Sequence, residues 1–208
     1  PGYRVNNQYR FNRAELLEWA MAHRINVSAE LFREPDSANA PLINLGRAIQ
    51  SGGIYYRIEG NDKATALASV VKMMHLPAEV DREFLLSVLL AREEIASTGI
   101  GDGVAIPHVR NPIVLQVPEP TVSLCFLENP IDFKAMDGKP VYCLFTIISP
   151  TVRAHLHLLS RLSFSLRDSQ LKKAIESQAT RETICSHIAR VEAELDNQMT
   201  TSQVQQEN

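Results

Sequence analysis

Nothing in this chain approaches the roughly 18–20 consecutive apolar residues that a membrane-spanning helix needs. Val141 to Ile148 is among its longest apolar runs, and no signal-peptide pattern opens it. Cysteine is scarce. Cys125, Cys143 and Cys185 are the only three in 208 residues, they lie far apart, and none forms a C-x-x-C pair. That excludes a disulfide framework and a dithiol redox site, and reads as reduced thiols in a cytoplasmic protein. A strong charge of either sign is also missing: the net charge of -3 gives no global pull toward nucleic acid or anionic lipid. Bulk composition therefore names no partner. No internal repeat is visible. What remains is 45% hydrophobic and 22% charged residues, ordinary for one globular domain with an appendage. The chain starts at Pro1, without an initiator Met and inside a strand-like run, which reads as a fragment or trimmed chain.

Tyr3-Arg4-Val5 and Tyr9-Arg10-Phe11 flank Asn6-Asn7-Gln8, the pattern of a short hairpin with a polar turn. Asn12 is placed to cap a following helix. Glu15 completes a capping-box-like pair, and Leu16, Leu17, Trp19 and Ala20 supply the apolar stripe. Residues 31–41, with Pro35, Asp36, Ser37, Asn39 and Pro41, read as a linker. The expected division is a unit at 1–30, this linker, a main domain at 42–195 and a frayed polar tail at 196–208. Within the domain, periodicity predicts helices at 44–51, 61–75 with Asn61 as N-cap, 79–95, 152–166, 169–177 and 181–195. Strands are expected at 53–58, with Ile54, Tyr56 and Ile58 on one face, and at 121–127 and 140–148. Asp137-Gly138 is a turn signal between the last two. Few strands among many helices predict an α/β fold with a mixed central sheet covered on both faces.

The chemistry concentrates in residues 92–108, Arg-Glu-Glu-Ile-Ala-Ser-Thr-Gly-Ile-Gly-Asp-Gly-Val-Ala-Ile-Pro-His. Pro107 fixes its own φ and pushes Ile106 toward extended geometry, so His108 is aimed by its backbone. An imidazole with an ordinary pKa near 6.5 is largely neutral at cytoplasmic pH and offers a ring nitrogen as nucleophile toward phosphorus. Phosphoryl oxygens then need N–H donors and cations. Gly101 and Gly103 are expected to bring backbone donors close, and Arg110 lies two residues beyond the histidine. His155 stands near the start of a predicted helix, where an anion is favoured. His157, two residues on, is turned through about 200° and cannot share a metal with it. The bland readings are a loop-capping or core role for His108, a helix-capping one for His155, and a surface ion pair for Arg92. The glycines lack the strand-turn-helix context of a dinucleotide site. A zinc hydrolase is disfavoured because the histidines make a poor three-ligand set. No metal or cofactor is expected.

The run from Arg92 to His108 resembles the active-site signature of enzyme IIA of the phosphoenolpyruvate-dependent sugar phosphotransferase system, in its fructose/mannitol and nitrogen-regulatory class. The resemblance covers about 42–195. It implies the IIA α/β fold, with His108 carrying a phosphoryl group, His155 as the second active-site histidine, and Arg92 as the family's arginine before Ser-Thr-Gly. It also implies a histidine-containing phosphocarrier protein as donor and an enzyme IIB module or regulatory target as acceptor. Where the family commonly has Gly or another small residue after the histidine, this chain has Val109, which predicts altered docking of those partners. Residues 1–19 resemble, more fragmentarily, the wing and following helix of excisionase-type, MerR-like DNA-binding domains, so the hairpin and helix read as a partial winged unit. That resemblance implies Arg4, Arg10 and Arg13 as phosphate contacts on DNA. The resulting expectation is a phosphocarrier of nitrogen-regulatory type, with a DNA-binding regulator carrying a IIA-like sensing domain as the alternative.

Overall fold

The computed structural model describes residues 42–109 and 117–206, together with 3–5, 8–11, 16, 19, 20, 23 and 25. At the N-terminus, β1 (Tyr3–Val5) pairs antiparallel with β2 (Gln8–Arg10), as the alternation predicts. Leu16, Trp19 and Ala20 are helical. The caps expected at Asn12 and Glu15, together with Leu17, Arg13 and the linker at 31–41, lie outside the described residues.

The main sheet has five strands in the order β3-β6-β7-β5-β4. These are β3 (Ile54–Ile58), β4 (Gly99–Gly101), β5 (Val104–Ala105), β6 (Thr121–Ile131) and β7 (Val141–Ile148). It is mixed: β3 runs parallel to β6, β6 antiparallel to β7, β5 parallel to β7, and β4 antiparallel to β5. Period-two alternation sorts β6 and β7 between two cores. Val122, Leu124, Phe126, Cys143, Phe145 and Ile147 face one side, against helices α1 (Leu45–Gly52), α4 (Val152–Ser165), α5 (Ser169–Glu176) and α6 (Arg181–Gln206). Cys125, Leu127, Leu144 and Ile148 face the other, against α2 (Lys63–Met73) and α3 (Arg82–Ile95). Each fully buried phenylalanine among these contributes roughly 1.5–3 kcal/mol. Helices on both faces are what the sequence pattern predicts.

Three local features differ from the expectation. Ile54 and Tyr56 pack into the first core, but Ile58 belongs to the second. The cause is Arg57, whose φ of 56° interrupts the alternation where the register against β6 shifts. The cap of α2 is Asp62 instead of Asn61: its carboxylate accepts from Thr65 N, while the Thr65 hydroxyl meets the Asp62 N–H in a full capping box. The tail expected to fray from Asp196 instead continues α6 to Gln206.

Glu192 of α6 ties the helical layer together. It is buried, and its carboxylate accepts from Leu45 N at 2.6 Å, Gly46 N at 2.9 Å and Arg161 Nη1 at 3.1 Å. It thus places negative charge on the N-terminus of α1, alongside the Asn44 cap. Gly52 closes that helix against β6, where a Cβ would fall 2.3 Å from the Val122 carbonyl oxygen.

Candidate functional site

The fold brings His108, Arg92 and His155 to one place from three separate elements. His108 follows β5 and bridges in parallel to Ile147 near the C-terminal end of β7, with Ile147 N donating to the Pro107 carbonyl at 3.0 Å. Ligand sites in α/β sheets favour this end of the strands. His108 is only 2% exposed. Its Nδ1 lies 2.7 Å from the Ile106 carbonyl oxygen, which can only accept, so Nδ1 carries the proton and Nε2 holds the lone pair.

Arg92 reaches that lone pair from the last turn of α3. Its Nε donates to His108 Nε2 at 3.2 Å, and its Nη1 donates to the Ala96 carbonyl at 2.8 Å. Where the sequence offered a surface ion pair for Arg92, the side chain is buried against the His108 ring, and the neighbouring Glu93 pairs with Lys63. His155 arrives from the other layer. Its ring centroid is 5.0 Å from that of His108, at an interplanar angle of 39°. It sits in the first turn of α4, where Thr151 caps the helix by accepting from Ala154 N and the first-turn amides form the positive end of the dipole. A nucleophilic imidazole, a second imidazole, a guanidinium and a helix N-terminus are thus gathered together, a set of groups suited to an anionic partner.

His157 turns away, as its spacing requires. It hydrogen-bonds the Ile43 carbonyl, and burial, with Arg161 next in effect, holds its pKa down to about 4. Arg110 lies outside the described residues. Val109, expected to alter docking, is 4% exposed and belongs to the core on the α2–α3 side of the sheet.

The assignment of Gly101 and Gly103 to phosphoryl binding needs correction. The segment read as a loop is the β4–β5 hairpin at the sheet edge, and its turn stands at the opposite end of β5 from His108. Four residues separate Gly103 from His108, and the five steps of strand-like chain between them span roughly 16 Å. The turn needs glycine for its own geometry: Gly103 has φ of 75°, and a Cβ there would lie 2.2 Å from Tyr142 Cε1. The Gly103 carbonyl accepts from Tyr142 N and Cys143 N, and the turn lines a cavity of about 670 Å³ with Tyr142, Lys139 and Leu166, which Ala20 and Ile25 also reach.

Glu93 and Thr98 were not singled out by the sequence reading. Glu93 Oε1 accepts from Lys63 Nζ at 2.8 Å, and Oε2 from Thr98 N at 3.0 Å and Thr98 Oγ1 at 2.6 Å. A carboxylate one residue from the arginine, inside a helix, was the available signal. Its burial was not, because the next residue, Glu94, is exposed.

The mixed sheet thus presents a buried imidazole, held at Nδ1 by a carbonyl, beside a guanidinium. Comparison with known proteins agrees. The chain belongs to the family "Phosphoenolpyruvate-dependent sugar phosphotransferase system, EIIA 2", matched over residues 48–191. It is 31% identical over 147 residues to a nitrogen regulatory protein of Pseudomonas aeruginosa, covering 69% of this chain and 93% of that protein. It is 37% identical over 113 residues to a fructose-specific EIIA component of Haloferax volcanii, covering 53% of this chain and 71% of that protein. Its fold matches the crystal structure of nitrogen regulatory protein IIA-Ntr from Neisseria meningitidis at a TM-score of 0.60 and 25% identity, over 69% of this chain and 98% of that one. The family match begins beyond the N-terminal hairpin, and these comparisons give no support to a DNA-binding role. Among the described residues no helix is long and apolar enough to cross a membrane.

Proposed function

We propose that this chain is a phosphocarrier of the nitrogen-regulatory kind, with His108 accepting a phosphoryl group on Nε2. The observation that carries this reading is the pair of bonds on the ring: Ile106 holds the Nδ1 proton, and Arg92 faces the Nε2 lone pair. In the reaction the Nε2 lone pair attacks the phosphorus of a phosphohistidine on a carrier protein. The donor's P–N bond breaks, and its electron pair returns to the donor imidazole. Arg92 gives up the lone pair and turns its guanidinium to the phosphoryl oxygens, which His155 and the α4 N-terminus also face. The product adds about two negative charges at a place already lined with donors.

The donor is a histidine-containing phosphocarrier protein, and the acceptor an enzyme IIB module or a regulatory target, in keeping with the family. Ile95, 64% exposed, and Val152, 45% exposed, stand on the helix ends that carry Arg92 and His155, giving such partners an apolar rim. The same reading makes this a cytoplasmic protein. The division into an N-terminal unit at 1–30, a linker at 31–41 and a domain at 42–195 belongs to the same proposal. The test is incubation with phosphoenolpyruvate and the general phosphotransferase components, followed by intact mass. A gain of one phosphoryl group, lost in His108→Ala, is expected. Stoichiometric labelling that survives the substitution rejects the assignment.

A further inference from the structure

Arg92 and Glu93 are neighbours on α3, about 100° apart around the helix. Arg92 faces the imidazole, whereas Glu93 points to the strand that supports it. Its carboxylate is buried and fully engaged, taking Lys63 on one oxygen and both the backbone N–H and the hydroxyl of Thr98 on the other. A buried charge pair is a weak source of net stability, since desolvation offsets much of its attraction. The line of hydrogen bonds continues from it. The Thr98 carbonyl accepts from Ile106 N at 3.0 Å, and the Ile106 carbonyl accepts from His108 Nδ1 at 2.7 Å. Four groups in sequence thus connect the carboxylate to the proton that decides which ring nitrogen is free.

The geometry points to Glu93 as a positioning residue that sets the tautomer of His108, acting through Thr98 and Ile106. This rests on the reading of His108 as phosphoryl acceptor. With Thr98 anchored, Ile106 presents its carbonyl to Nδ1, and the lone pair stays on Nε2. With Thr98 released, the carbonyl shifts and Nδ1 loses its acceptor. The proton then populates Nε2, where it opposes the Arg92 N–H, donor against donor, and leaves no nucleophile toward the phosphoryl donor. Lys63 has a separate part. It pairs with the carboxylate at 2.8 Å and lies 5.2 Å from the centroid of the Phe133 ring, which leaves the other carboxylate oxygen to accept from both Thr98 donors.

The test uses the full chain with Glu93→Gln and Thr98→Val. In Glu93→Gln an amide NH₂ replaces one oxygen and must face either the Lys63 ammonium or the Thr98 N–H. Long-range nitrogen–proton NMR on ¹⁵N-histidine protein reads the His108 tautomer without any phosphoryl donor present. Wild type is expected to show one tautomer with Nε2 unprotonated, and Glu93→Gln a mixture. Phosphorylation kinetics should show kcat lower by roughly 10- to 100-fold with KM nearly unchanged, the range typical of residues that orient a reacting group. Thr98→Val keeps the backbone bond and should move both readings the same way by less. It carries the test if Glu93→Gln does not fold. A folded Glu93→Gln or Thr98→Val protein with the wild-type tautomer overturns the proposal, as does a loss confined to KM. A wild-type protein with the expected tautomer that takes no phosphate overturns the proposed function instead.

Discussion

Acid should weaken this fold through His157 before most carboxylates titrate. The ring is mostly buried on α4, and desolvation, reinforced by Arg161, pushes its pKa from 6.5 down to about 4. A histidine with a depressed pKa is neutral in the folded protein, while the unfolded chain binds the proton from pH 6.5 downward. Stability is therefore fully present above pH 6.5 and is lost as pH falls toward 4, below which this group adds no further slope. A gap of about 2.5 units at 1.36 kcal/mol each sets a ceiling on the order of 3 kcal/mol, and integration to pH 5 gives about 2 kcal/mol. Equilibrium urea unfolding of wild type and His157→Gln at pH 7 and pH 5, at one ionic strength, isolates the term as a double difference. Wild type should lose about 2 kcal/mol more than the variant between the two pH values. Equal pH dependence in both proteins would refute the reasoning, because every other titrating group is common to them.

Arg92→Gln should slow phosphoryl acceptance by about 10²–10³-fold in kcat, the usual cost of removing one donor from a developing charge, as quench-flow labelling will read. His155→Ala should still accept the group but pass it on poorly; unimpaired transfer to an acceptor would remove His155 from the site. Glu192→Ala strands two α1 amides while Arg161 keeps Asp196 as partner, and should cost roughly 2–4 kcal/mol in denaturant unfolding, with less than about 1 kcal/mol counting against the role given to it. Gly103→Ala should lower the melting temperature through its positive φ and the contact with Tyr142, yet leave phosphorylation of folded protein intact; a specific loss of labelling would restore the turn to the site.

Much of the architecture was legible because apolar periodicity marks α1 to α5. The strands β6 and β7 read clearly as apolar runs bounded by turn residues. The histidines and the arginine were legible through their motif and through the 200° rule that separates His155 from His157. What escaped was decided by backbone conformation or by distant partners. Arg57 enters the left-handed region inside a strand, a choice no side-chain pattern announces, and it moves Ile58 to the other core. The glycines looked like a phosphate cradle because their composition fits one, whereas their place at the far end of β5 depends on pairing with β7. Nothing local marks Glu93, whose buried carboxylate takes Lys63 from 30 residues earlier in the chain.

The Glu192 carboxylate also sets a timetable for synthesis. Its partner amide at Leu45 lies 147 residues earlier, so at translation speeds of about 5–20 residues per second the start of α1 waits roughly 7–30 s for the group that neutralises it. During that interval the sheet strands have emerged while one of their two helical covers is missing α6. Nascent chains stalled before residue 192 should therefore expose the apolar face of β6 and β7 to chaperones and proteases, and release of the last helix should close it in one step.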